Sequence, residues 1–213
     1  LQHLQSPPQS TVKQQKVSEL FARQGIVENK LQWQESIISQ AWHYRRKARI
    51  GVQYNKSGQA TIGFRQRASN QLVAIKKCPV LVEPFAELFN ALNKLLTTLS
   101  GVNPIGHLEV ISTHSKTIIV RQLVNMSAQD KALWLAFAQD NQCQIMVDDG
   151  KSISALSDCE SLSYQIDDDI TLQFNADDFI QVNHDVNTAM VDQAIEWLAL
   201  EPQDNVLDLF CGL

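Results

Sequence analysis

No apolar run in the 213-residue sequence approaches the roughly 18 to 20 uninterrupted residues that a membrane-spanning helix needs. Its first ten residues, LQHLQSPPQS, lack the basic segment followed by an apolar stretch that marks a signal peptide. Membrane insertion and export are therefore not expected, and the cytoplasm is the expected compartment. Cysteine is scarce: Cys78, Cys143, Cys159 and Cys211 form no CxxC pair, which excludes a disulfide framework and leaves the thiols reduced. Acid is nearly missing from the first eighty positions, where three glutamates face thirteen lysines and arginines, whereas the remaining 133 positions carry five basic residues against twenty acids. A half with net charge +10 thus precedes one of −15. Such a basic half either meets a polyanion or is a solvated face, and charge alone does not separate the two.

What is present is an ordinary globular composition, 44% hydrophobic, with room for a sizeable core. After a polar, proline-broken start, STVKQQKVSELFARQG places Val12, Val17, Leu20 and Phe21 at helical spacing, with Ser10 or Thr11 as cap and Gly25 as stop. From Lys47 the period becomes that of strands. KARIGVQY, the turn NKSG, ATIGFR and LVAIKKC predict an antiparallel meander. Pro79 ends it, and EPFAELFNALNKLLTTLSG predicts one amphipathic helix closed by Gly101, with Phe85, Leu88, Phe89, Leu92, Leu95 and Leu96 on one face. HLEVISTHS and TIIVRQL predict two more strands. SAQDKALWLAFAQDN predicts a helix capped by Ser127, and QIMVDD, LSYQID and ITLQFN predict further strands.

The order βββαββαβββ defines an α+β domain, a mostly antiparallel sheet with helices on one face. Beyond it lie a helix with Val186, Met190, Ala194, Ile195 and Leu198 inward and a terminal strand, NVLDLFCGL. A buried strand ending in glycine suits the ligand-binding end of a parallel α/β sheet, as in Rossmann-like folds that bind S-adenosylmethionine. The expected organisation is a helical segment at 1–40, a central α+β domain at 41–175, and at 176–213 the first helix and strand of a Rossmann-like domain.

Four blocks carry a more specific likeness. DDFIQVN at 177–183, one helix before VLDLFCG at 206–212, resembles the F-x-Q-[VP]-N and V-L-D-L-[FY]-C-G pair of the RNA uracil-5-methyltransferases. WHYRRKARIGV at 42–52 is similar to that family's W-x-Y-R-R-R-A-R-L block, and IKKCPVL at 75–81 to the lone cysteine before proline of its iron–sulfur-containing members. The stub QHL at 2–4 resembles the text after their three-cysteine motif.

The resemblance implies S-adenosyl-L-methionine as methyl donor, with Gln181 and Phe210 lining its site, and 23S rRNA as partner, met by Arg45, Arg46, Lys47 and Arg49 beside the aromatic Trp42, His43 and Tyr44. It also implies that Cys78 is the fourth ligand of a [4Fe-4S] cluster whose other three cysteines are not in this sequence, so that no cluster is expected here. By the same resemblance the sequence is a middle fragment, without the catalytic cysteine and glutamate, and inactive alone. No obligate protein partner is evident. A tRNA or other rRNA uracil as substrate, or a non-catalytic RNA-binding protein, are the alternatives. Residue by residue, Cys78 also reads as a small buried hydrophobe, the arginines as a solvated face, Gln181 as a backbone partner near a helix start, and Asp208 as a residue that orders its own turn.

Overall fold

The computed structural model describes residues 4, 6–100, 105–209 and 211–212. Gly101, Phe210 and the QHL stub's Gln2 and His3 lie outside the described residues. The chain divides into two units, Leu1–Ala41 and Trp42–Leu213.

The first unit is built on helix α1, Ser6–Arg23. It begins earlier than its apolar spacing suggests, because the two prolines occupy the first turn, where no intrahelical N–H is needed. Its end follows from Gly25, which takes φ 79°. Gly25 N–H donates to the Ala22 carbonyl at 3.0 Å and Ile26 N–H to that of Phe21 at 3.0 Å, the paired closure a left-handed glycine permits.

In the second unit, β1 (Lys47–Tyr54), β2 (Ala60–Arg65) and β3 (Leu72–Ala74) form the expected meander. The Asn55 side chain builds the first turn, its Oδ1 accepting from the Ser57 and Gln59 amides at 3.0 and 2.9 Å while Gly58 takes φ 79°. β4 (Ile105–Ser112) and β5 (Lys116–Gln122) follow, then β6 (Gln144–Asp148) and β7 (Ile153–Ala155). Together they make a seven-stranded sheet in the order β3-β2-β1-β4-β5-β6-β7. β1 pairs with β4 from Lys47 opposite Ile111 to Gly51 opposite His107. Among the described strands of this sheet, only β5 and β6 pair in parallel, across the helix α4, Ala128–Asn141. The domain is thus α+β with a mixed, largely antiparallel sheet.

Alternation along the strands sorts the two faces. Ile50, Val52, Ile62, Leu108, Val110, Ile118, Val120 and Ile145 meet the helices, where Phe85, Phe89, Leu92, Leu96 and Trp134 are all buried. Each such large side chain contributes about 1.5–3 kcal/mol of burial. The opposite face is covered in part by a second cluster, in which Ile111 and Ile119 pack with Leu162, Phe174, Ala176 and Ile180. That cover is the hairpin β8 (Ser163–Gln165) and β9 (Thr171–Gln173) with the chain after it.

Three expectations are corrected. The helix after Pro79 is broken into α2 (Glu83–Ala86) and α3 (Phe89–Thr98), because the Ala86 carbonyl accepts from Cys78 N–H at 3.1 Å and so leaves the helical ladder. Helix α5 (His184–Leu198) forms, capped by Asn183, whose side chain accepts from Val186 N–H at 3.2 Å, but it buries none of its residues. Met190, Ile195 and Leu198, expected inward, are each more than half exposed. The terminal strand does not form among the described residues: no strand lies beside Asn205–Asp208 to take its backbone groups, and Val206, Leu207 and Leu209 are exposed.

Candidate functional site

Three of the four sequence blocks meet at one seam. The stretch His43–Arg46 runs between the Cys78–Val82 loop on one side and Gln181–Asn183 on the other, with Arg45 bridged in parallel to Leu81 and antiparallel to Asn183. Backbone bonds join them: His43 N–H to the Pro79 carbonyl at 2.8 Å, Arg45 N–H to that of Val80 at 2.8 Å, and Arg46 N–H to that of Val182 at 2.9 Å. The His43 ring adds a bond from Nδ1 to the Leu81 carbonyl at 2.9 Å and places Nε2 3.2 Å from Glu83.

The four basic residues of the block are placed very differently. Arg49 is exposed and paired across the strands with Glu109. Arg45 is half-buried on the bridge. Lys47 turns its Nζ to the carbonyls of Ala176 and Asp178. Arg46 is only 5% exposed. Its Nε donates to the Gln181 carbonyl at 2.8 Å and its guanidinium lies 4.1 Å above the Tyr164 ring. Burial pulls the Arg46 pKa below its ordinary value, against the opposing pull of Tyr164.

Gln181 is exposed, with its backbone carbonyl held by Arg46; Phe210 lies outside the described residues. Phe179, two residues earlier, is 76% exposed. A cavity of about 270 Å³ opens beside it, with Lys47, Arg49, His107 and Arg121 in its wall. Glu109, Asp148, Asp177 and Asp178 line the same cavity, so four carboxylates face the three permanent cations Lys47, Arg49 and Arg121. Burial and the Arg49 guanidinium hold His107 below its ordinary pKa.

Cys78 is buried, 6% exposed, in the main core. Cys143 is buried, Cys159 half-buried and Cys211 exposed. No group of three or more His, Cys, Asp or Glu side chains able to hold a metal occurs among the described residues. The donors present therefore do not make the four-thiolate set of a [4Fe-4S] cluster. The second cover of the sheet, residues 162–180, is signalled in the sequence by the alternation of LSYQID and ITLQFN, which reveals strands but not where they dock.

Residues 9–213 match the family model described as tRNA (Uracil-5-)-methyltransferase, so the chain belongs to this family of RNA uracil-5-methyltransferases. Among curated relatives, 23S rRNA (uracil(1939)-C(5))-methyltransferase RlmD of Colwellia psychrerythraea is 45% identical over 240 residues, covering all of this chain and 51% of the relative. The protein of the same name from Photobacterium profundum is 40% identical, covering all of this chain and 49% of the relative. The chain thus spans about half the length of these relatives. In fold it is similar to the crystal structure of Pyrococcus abyssi tRNA (uracil-54, C5)-methyltransferase in complex with S-adenosyl-L-homocysteine, with TM-score 0.53 and 15% identity over 74% of this chain and 41% of the other. No described helix is long and apolar enough to cross a membrane.

Proposed function

We propose that the chain serves the transfer of a methyl group from S-adenosyl-L-methionine to C5 of a uracil in 23S rRNA, at position 1939. The observation that carries this reading is similarity along the whole chain, at up to 45% identity, to relatives named for that reaction. In this reading 41–175 is an RNA-binding domain, 176–213 opens the methyltransferase domain, and work on ribosomal RNA is cytoplasmic. In the same reading Gln181 and Phe210 face the methyl donor, and the exposed Arg49 and half-buried Arg45 meet RNA. Cys78 supplies one thiolate to a [4Fe-4S] cluster, with the other three from cysteines that are not in this sequence.

The chemistry of the family, a thiolate adding to C6 of an unstacked uracil, methyl transfer to C5 and removal of the C5 proton by a carboxylate, is assigned to no residue of this chain. A tRNA uracil is the second reading, favoured by the family description and by the solved neighbour. The test is methyl transfer from labelled S-adenosyl-L-methionine by the protein at its full natural length. Label in a 23S rRNA fragment holding uridine 1939, and none when that uridine is cytidine, supports the proposal. Label in tRNA alone overturns it.

A further inference from the structure

The segment that carries Gln181 has no helix or strand of its own, yet it is held tightly from behind. Lys47 takes the carbonyls of Ala176 and Asp178, Ile180 is 3% exposed in the second core, and Asn183 pairs with Arg45. In the middle of this sits Arg46. Its backbone N–H holds Val182, its Nε holds Gln181, and its Nη1 lies 3.4 Å from Nδ1 of His184, the first residue of α5. A guanidinium has donors only, so in any bond between the two Arg46 is the donor and Nδ1 the acceptor. The Tyr164 ring, itself edge-on to His184 at 6.1 Å, closes the other side of the Arg46 plane.

Arg46 makes no ion pair among the described residues, and its Nη2 is buried with no hydrogen-bond partner among them. A buried cation without a counter-charge is electrostatically unfavourable, and an apolar side chain would fill the same volume without that penalty. What an apolar side chain cannot do is bond the carbonyl of Gln181 and the first residue of α5 from one rigid plane. Donors turned inward in this way are also not free to meet phosphate.

We propose that Arg46 is a positioning residue for the methyl-donor site: it fixes the backbone of Gln181 so that the exposed Gln181 side chain meets the cofactor in one orientation, and it does not contact RNA. The inference rests on the reading of Gln181 as a cofactor residue. It is tested in the protein at its full natural length with Arg46→Met, Arg46→Lys, Gln181→Ala and the Arg46→Met/Gln181→Ala pair. S-adenosyl-L-methionine affinity is measured by calorimetry and rRNA-hairpin affinity over a salt series.

Arg46→Met should weaken the cofactor about 10-fold, as loss of a supporting residue does, and leave RNA affinity and its salt slope unchanged. Arg46→Lys should recover part of the loss, and the pair should be no weaker than Gln181→Ala alone, because both changes remove one interaction. Loss of RNA affinity with a flatter salt slope and unchanged cofactor affinity overturns the proposal. Should Arg46→Met fail to fold, Arg46→Lys carries the test, and wild-type cofactor affinity in that variant overturns the proposal. Unchanged cofactor affinity in Gln181→Ala instead removes the reading on which it rests.

Discussion

The Lys47 ammonium on β1 donates to the carbonyls of Ala176 and Asp178 at 3.0 and 2.7 Å, 129 and 131 residues further along the chain. A basic residue that sequence alone offers to a nucleic acid is thereby a tie between the sheet and the chain leading to Gln181. Hydrogen bonds from charged groups contribute about 1.5–3 kcal/mol each, and loss of the donor leaves two carbonyls unpaired. Because Lys47 is only half-buried and water replaces part of these bonds, Lys47→Met is expected to lower stability by about 1–3 kcal/mol in urea titrations. Limited proteolysis should cut it first between residues 174 and 183; a cleavage pattern equal to the wild type's would refute the tie.

Gly63 on β2 faces Gly51 on β1, and a Cβ built on it would stand 1.9 Å from the Val73 carbonyl of β3. Backbone cannot give way there without unpairing β3. Gly63→Ala is expected to cost about 2 kcal/mol or more. Amide exchange should rise across Leu72–Ala74 and stay unchanged in β5; an undisturbed β3 would contradict this.

Asp148 holds the Arg121 guanidinium at 2.5 Å and accepts from Gly150 N–H at 2.8 Å. Burial pushes its pKa up, but these bonds outweigh it and keep the carboxyl below its ordinary value. The unfolded chain then binds the proton first, so the stability Asp148 supplies is complete above about pH 4 and disappears as pH falls through the lower folded value. Asp148→Asn should therefore lose less stability than the wild type between pH 6 and pH 3. Thermal melts at the two pH values decide it, with parallel losses counting against the assignment.

Burial raises the Cys143 thiol to about 11, with Lys116 opposing, whereas Cys211 is exposed. Only the thiolate alkylates, so iodoacetamide at pH 8 should label Cys211 first and Cys143 last in the folded chain. Peptide mass spectrometry would read the order; equal rates for the two would contradict the fold around α4.

Short-range chemistry was legible in the sequence. The β1–β2 hairpin, the Ser127 cap and the Gly25 stop each lie within a few residues of their cause. What escaped was set by partners far away. The break after Ala86 depends on Cys78 N–H, β7 is too short to show a period, and the apolar period of α5 says nothing of what stands opposite it. The site divides in the same way. The blocks around Arg46, Cys78 and Gln181 could each be picked out by their letters, but not that they form adjacent lanes of one seam, nor that Arg46 faces inward while Arg49 faces out.

The pairing of β1 with β4 has a consequence for how the chain reaches this state. On either side of it, strands join their near neighbours in sequence: β1 to β3 by tight turns, β4 to β7 by turns and one helical crossover. Each half can therefore zip up early, as local contacts form fastest. The seven-stranded sheet exists only once Ile50 stands opposite Leu108, across a loop holding β2, β3 and both short helices. Topology therefore predicts that joining as the slow step of folding: truncating Leu108 should slow refolding, while truncating Ile62 in the local hairpin should slow it less for the same loss of stability.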